Sequence, residues 1–294
     1  MTSSRVDAGP DVGGIAQLRS RCPDGLGMVE ACLDRISRIE SVVQAWQYMS
    51  IDDVRRRAVT VDAAHFPHPL HGVPIGVKDI IDVAGMPTRC GSDVTEGRAR
   101  EQSAECVARL EAVGAIVLGK TVTTEFAYYQ PGRTRNPWNP SHTPGGSSSG
   151  SAAAVASGMV PVALGTQTNG SIVRPAAFCG VVGYKPTCGA VSNDGVLDPW
   201  PTLDHTGAFA RSVEDVALVA SVIGPEIGPM IHCASAPRIA AAQSPVWDRA
   251  DAAQQRMYQE GISTLRAAGA MVVERPLDDA FAAALSEGSV TMRH

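Results

Sequence analysis

The chain has 294 residues, room for one large α/β domain or two average ones. Hydrophobic residues make up 44% of it and charged residues 19%, ample material for a buried core. Its formal net charge of −5, from 25 basic and 30 acidic side chains, offers no basic face to neutralise phosphates, which sets nucleic-acid binding aside.

Met1 to Gly14 is polar and contains acids, with no apolar stretch behind a basic start, so no secretory signal is read there. Residues 1–27 are taken as an N-terminal leader and residues 28–294 as the main domain. From Met28 to Met49, Val29, Cys32, Leu33, Ile36, Ile39, Val42 and Val43 recur at three- and four-residue steps, which predicts a helix. Val73 to Ile81 reads as a strand interrupted by Lys78, Cys106 to Val113 as a helix, and Ala115 to Lys120 as a short buried strand. A Pro/Asn-rich loop from Pro131 to Pro144 leads into a glycine–serine run. Ala152 to Ala156 is helical by alanine content, and Pro161 to Gly165 is a strand. Ser212-Val-Glu-Asp215 has capping character and opens a helix to Ile223. Arg238 to Ala242 is a strand, Asp251 to Ala268 a helix, Ala270 to Glu274 a strand, and a further helix begins near Asp279. Strands alternating with helices predict an α/β sheet covered on both faces.

The cysteines (Cys22, Cys32, Cys90, Cys106, Cys179, Cys188, Cys233) stand singly, with no CxxC pair, and are expected as buried thiols. No metal and no cofactor is expected. No run approaches the roughly eighteen apolar residues of a membrane helix. A cytoplasmic protein without membrane or nucleic-acid partners is the expectation.

The chemistry concentrates in Thr143-Pro-Gly-Gly-Ser-Ser-Ser-Gly-Ser-Ala-Ala-Ala154 and Gly165-Thr-Gln-Thr-Asn-Gly-Ser-Ile-Val-Arg-Pro-Ala-Ala-Phe-Cys-Gly180. A flexible linker uses the same residues, but Pro144 and an alanine helix bracket this run tightly. A phosphate loop needs Lys-Ser or Lys-Thr after its last glycine, and neither is present. Gly146-Ser-Ser-Ser-Gly150 approaches the G-x-S-x-G nucleophile elbow, which needs a histidine base. The histidines at 65, 68, 71, 142, 205, 232 and 294 offer no clear partner by position. The physical alternative is a lysine whose pKa burial has lowered. Lys78, inside Ile75-Gly-Val-Lys-Asp-Ile-Ile81, is the one lysine in an apolar run; the plainer reading is that it pairs with Asp79 or reaches solvent from a strand end.

Residues 143–187 resemble the signature segment of the amidase-signature family, and Gly72-Val-Pro-Ile-Gly-Val-Lys-Asp79 resembles its lysine motif. Gly119-Lys-Thr121, Thr124-Glu-Phe126, Asn136-Pro-Trp-Asn-Pro140, Gly183-Tyr-Lys-Pro-Thr187, Leu203-Asp-His-Thr-Gly207 and Phe209-Ala-Arg211 are similar to further family landmarks. The likeness covers most of residues 28–290. It implies the amidase-signature fold, a central mixed β-sheet with helices on both faces. It also implies a Ser–cis-Ser–Lys triad: Ser171 as nucleophile, Ser147 as bridging serine after a cis peptide, and Lys78 as base. Backbone N–H groups of Thr168, Asn169, Gly170 and Ser171 would form the oxyanion hole. The implied activity is hydrolysis of a small carboxylic amide to the acid and ammonia or an amine, through an acyl-enzyme on Ser171.

The sequence departs from the family pattern at three places. Asn169 stands where glycine is usual; a positive φ there would suit asparagine next best, and its side chain would crowd the acyl pocket. Arg174 lies three residues after Ser171, an arrangement resembling malonamidase-like members, in which it would engage a substrate carboxylate. A structural carboxylate is the alternative partner. Family members also generally continue beyond the equivalent of His294, so a fragment, a half needing a complementing C-terminal fragment, or a decayed copy is expected; a homodimer is a further partner. Two other functions compete with a small-amide hydrolase. One is the glutaminase-type subunit of a tRNA-dependent amidotransferase, and the other a truncated, non-catalytic paralogue.

Overall fold

The computed structural model describes residues 12–64, 67–231, 235–277, 280–281 and 283–284. It divides into two units, Met1–Met230 and Ile231–His294.

The first unit opens with helix α1 (Ile15–Arg21), inside the stretch read as a leader; Ile15 and Leu18 are buried. Helix α2 (Gly25–Val43) starts where the Asp24 carboxylate accepts the Gly27 N–H at 2.7 Å, an N-cap worth about 1 kcal/mol. It ends six residues before Met49, where sequence periodicity placed its end. Gln44 turns into the left-handed region at φ 53°. The Glu40 carboxylate then accepts the N–H groups of Ala45 and Trp46, releasing the chain into strand β1 (Trp46–Tyr48). The next helix, α3 (Ile51–Ala64), escaped the sequence reading because only Val54 and Ala58 of it are buried, too few to set a period.

Strand β2 (Pro74–Lys78) stops earlier than expected, since Ile80 and Ile81 fold back to donate to the Lys78 carbonyl. Helix α4 (Glu105–Ala112) leads to strand β3 (Ile116–Thr121). Helix α5 (Ser149–Ala156) begins within the serine run, and strand β4 (Val162–Gln167) follows. Helix α6 (Val173–Cys179), strands β5 (Val182–Tyr184) and β6 (His205–Ala210), and helix α7 (Val213–Ile223) complete the unit. Of these last four, only α7 was anticipated; its Ser212 hydroxyl accepts the Asp215 N–H, as the capping pattern implied.

The strands form one mixed sheet in the order β1-β3-β2-β4-β6-β5. Its centre is parallel, with Lys78 beside Thr121 and Val77 beside Leu164 in register. β1, β6 and β5 run antiparallel to their neighbours. Strands β2, β3 and β4 are buried along their whole length, as parallel strands covered on both faces must be. Alternate residues feed two cores. Leu118, Ala163 and Phe209 join α2, α3, α5 and α6 on one side. Val117, Leu164 and Ala208 join α4 and α7 on the other. The expected fold, a mixed sheet with helices on both faces, is the one observed.

The second unit contains two parallel strands, β7 (Arg238–Gln243) and β8 (Met271–Pro276), connected through helix α8 (Ala252–Ala267). The helix expected near Asp279 starts outside the described residues, as does Cys233. Of the other cysteines, Cys32, Cys90, Cys106 and Cys179 are buried thiols as expected, whereas Cys188 is exposed and Cys22 half-buried. No described helix is long and apolar enough to cross a membrane.

Candidate active site

The glycine–serine run is a packed hydrogen-bond lattice between strands, which removes the linker reading. Ser147 to Ser151 are all buried. The Ser148 hydroxyl donates to the Thr166 carbonyl at 3.0 Å and accepts the Thr166 N–H at 3.2 Å. Ser149 donates to the Val122 carbonyl, and Ser151 to the Leu164 carbonyl. Small side chains are required here. A Cβ on Gly150 would lie 2.3 Å from the Val122 nitrogen and 2.4 Å from the Ala45 oxygen, an impossible approach. Ser148, the centre of the apparent nucleophile elbow, is thus committed to the β4 backbone.

The Gly146–Ser147 peptide is cis, as the family resemblance implied. The Ser147 carbonyl accepts the Thr124 N–H at 3.2 Å, and its hydroxyl lies 2.7 Å from Lys78 Nζ. Lys78 sits at the carboxyl end of β2, fully buried. Its second partner is the Thr166 hydroxyl at 2.6 Å. Burial brings its pKa down to about 7, against a smaller upward pull from the Asp204 carboxylate.

The plainer reading of Lys78, an ion pair with Asp79, is not what forms. Asp79 pairs with Lys120, Nζ to Oδ1 at 3.1 Å, and both side chains are buried. Lys120 also donates to the Pro87 carbonyl and the Thr88 hydroxyl. Asp79 is therefore already engaged.

Ser171 lies in the turn between β4 and α6 and is 7% exposed. Gln167, the last residue of β4, shapes this turn: its Oε1 accepts the N–H groups of Ile172 at 2.8 Å and Val173 at 2.9 Å. The N–H groups of Gly170 and Ser171 carry no hydrogen bond among the described residues, nor does the Ser171 hydroxyl. The Ser171 carbonyl accepts from Ser148 N–H at 3.3 Å, tying the two serine segments together.

Asn169 is exposed and its φ is not positive, so asparagine is not there to relieve the backbone. It holds Arg174, whose guanidinium donates to Asn169 Oδ1 at 3.2 Å and to the Gly146 carbonyl at 3.0 Å. Among the described residues no carboxylate pairs with Arg174. A Cβ on Gly170 would lie 2.6 Å from this guanidinium, so any larger residue there would displace the exposed end of the arginine.

Two members of this constellation went unread in the sequence. Thr166 lies in an apolar strand where a hydroxyl carries no visible signal. Asp204 lies inside Leu203–Gly207, a segment the resemblance picked out without giving the acid a role. Its carboxylate accepts from the Thr168 hydroxyl and, at 3.0 Å, from the Trp200 N–H.

The sequence profile of the Amidase family matches residues 27–289, so the chain belongs to that family. A glutamyl-tRNA(Gln) amidotransferase subunit from Symbiobacterium thermophilum is 46% identical over 211 residues, 68% of this chain and 43% of that protein. Among solved structures, a peptide amidase bound to the competitive inhibitor chymostatin aligns with a TM-score of 0.82 at 35% identity, covering 93% of this chain and 64% of that one. The native peptide amidase from Stenotrophomonas maltophilia aligns with a TM-score of 0.80 at 35% identity, covering 90% and 62%. The chain thus spans about half the length of the curated relatives it matches.

Proposed function

We propose that this chain hydrolyses a small linear carboxylic amide through an acyl-enzyme on Ser171, with Ser147 as proton relay and Lys78 as base. The observation that carries the reading is the buried lysine beside Ser147, with hydroxyls and, among the described residues, no carboxylate as its direct partners. Near neutral pH a substantial fraction of it is unprotonated. Neutral Nζ has one lone pair, which takes the Ser147 proton, while an N–H still donates to Thr166 and keeps the amine oriented. Ser147 then takes the proton of Ser171 as the Ser171 oxygen attacks the amide carbon. The unengaged N–H groups of Gly170 and Ser171 receive the developing oxyanion, a kind of stabilisation worth about 3–4 kcal/mol per donor. The proton returns through Ser147 to the departing nitrogen. Water, activated by the same relay, releases the acid and restores Ser171.

Arg174 adds a specificity element: an exposed cation held by a carbonyl and an amide oxygen, with N–H donors left for a substrate carboxylate. Short amides with and without a distal carboxylate test this role. A preference lost in Arg174→Met supports it, and equal kcat/KM for both in the native protein sinks it.

The test of the main reading is a fluorophosphonate adduct, detected by intact mass on the full 294-residue chain and mapped to Ser171. Labelling that persists in Ser171→Ala would overturn the nucleophile. A second reading draws on the curated relatives, which are glutamyl-tRNA(Gln) amidotransferase subunits. Under it the amide is glutamine and turnover rises when partner subunits are added.

A further inference from the structure

Aromatic side chains gather on two loops that run directly from the catalytic constellation. Trp200 and Tyr128 stack with ring centroids 6.1 Å apart and planes 28° from parallel, and Tyr129 meets Tyr128 edge-on at 4.5 Å. Phe126, Tyr128, Tyr129 and Leu203 are all exposed, Tyr129 at 69%. Large apolar surface left open in this way commonly marks a binding site.

Both loops are fastened to the triad's supports. On one side, the Trp200 N–H donates to the Asp204 carboxylate, which also accepts from Thr168 at the start of the Ser171 turn. The Leu203 and Asp204 N–H groups return to the Trp200 carbonyl and close that loop tightly. On the other side, the Thr124 N–H donates to the Ser147 carbonyl, and Thr124 leads straight into Phe126 and Tyr128. Phe126 and Ala127 lie at φ 46° and 58°, a left-handed conformation that costs a bulky residue and a β-carbon alike. Such outliers persist only where surrounding structure enforces them, and they cluster at ligand sites. Here the Phe126 N–H donates to the Cys90 carbonyl at 2.7 Å, and the Glu125 carboxylate accepts from Ser92 at 2.6 Å. The turn these hydrogen bonds hold is the one that carries the exposed Phe126, Tyr128 and Tyr129 rings.

We infer that Trp200 and Tyr128, flanked by Phe126 and Tyr129, form a subsite for an aromatic group carried by the amide substrate. The inference rests on the amidase reading and names the substrate class that reading leaves open. A flat ring slides against the Trp200–Tyr128 stack and gains the offset or edge contacts that aromatic pairs prefer. The hydrogen bonds from the Trp200 loop through Asp204 to Thr168, and from Thr124 to the Ser147 carbonyl, are what connect the site of such a ring to that of the amide end of the same molecule.

The test compares acetamide with phenylacetamide and N-benzylacetamide, which place the ring on the acyl and amine sides respectively. In the native chain kcat/KM for one aromatic amide should exceed that for acetamide by about tenfold or more, the scale of one to two good ring contacts. Trp200→Ala and Tyr128→Ala should each reduce that ratio by several-fold, and Trp200→Phe should retain most of it. A native ratio near one, or a ratio untouched by Trp200→Ala and Tyr128→Ala in folded protein, overturns the subsite and leaves the amidase reading standing. Binding of the same amides to Ser171→Ala, measured by calorimetry, separates the two. Aromatic preference in binding without turnover by the native chain keeps the subsite and removes the amidase reading. Equal binding of ringed and ringless amides removes the subsite.

Discussion

Lys78 and Lys120 are both fully buried, on adjacent parallel strands of the same sheet. Lys120 faces the Asp79 carboxylate at 3.1 Å and adds a carbonyl and a hydroxyl, so its charge is answered at contact distance. Lys78 has two hydroxyls, and the Asp204 carboxylate acts on it only from beyond hydrogen-bonding range. Burial pushes both amines toward neutrality and pushes Asp79 toward its acid form. For Lys120 the contact ion pair opposes that push; for Lys78 little does. Burial alone therefore does not make a lysine a base. The lysine proposed as base is the one left without a carboxylate at contact distance, because Lys120 keeps Asp79 occupied.

The largest expected effects test that division of labour. Lys78→Met should lower kcat by a factor on the order of 10⁴ or more while the fold persists, as loss of one member of a catalytic unit does. Lys120→Met strands a buried carboxylate and should cost about 3–5 kcal/mol of stability in urea titrations, with activity per folded molecule nearly unchanged. Replacing Asp79 by Leu in the same chain should return much of that loss. If Lys120→Met instead abolished activity at native stability, the two lysines would not be functionally distinct.

The next effect is on pH. If Lys78 acts unprotonated, as proposed, kcat/KM should rise with pH through about 7 and level off above it. A rate that falls across that range would make Lys78 a cation in the reaction. Stability carries the same signature. The unfolded chain keeps this proton to about pH 10.5, the ordinary lysine value, and the folded chain only to about 7. Between those values the unfolded state binds more protons, so stability rises with pH. Below about 7 both states are protonated and the cost of the buried charge is fully present. Urea midpoints at pH 6.5 and 9 should separate in the native chain by more than they do in Lys78→Met.

Much of this arrangement was legible beforehand, for identifiable reasons. Lys78 stood out as a charge within an apolar strand, whereas Ser147 and Ser171, serines in glycine turns ahead of helices α5 and α6, were singled out by the family resemblance. Periodicity also found the centre of α2 and the parallel strands, whose apolar runs are long enough to count. It failed where tertiary contacts decide. Gln44 and Glu40 end α2 by turning the chain onto the sheet edge, which no spacing encodes. Strands β5 and β6 and helix α6 rest on partners distant in sequence. The pairing of Asp79 with Lys120, and not with its neighbour Lys78, follows from the pleat, which sends adjacent side chains to opposite faces. Thr166 was invisible because one hydroxyl in an apolar strand has no pattern to violate.

Thr166 and Asp204 accordingly give the smaller effects. Thr166→Val keeps the shape but removes the hydroxyl that orients the amine, and about tenfold of kcat should go with that single hydrogen bond. Lys78 would keep Ser147 as its partner, so the protein should still label with a fluorophosphonate, only more slowly. Asp204→Asn is the subtler change. Its carbonyl oxygen can still accept the Trp200 N–H, and its amide can donate to the Thr168 hydroxyl, which is able to accept as well as donate. Geometry is thus preserved while a negative charge is removed. That charge favours the ammonium form of Lys78, so without it the amine loses its proton more readily and the rising limb of kcat/KM moves to lower pH. A limb that stays in place, in a variant with native KM, would show that the carboxylate supports Thr168 and the Trp200 loop mechanically and leaves the base untouched.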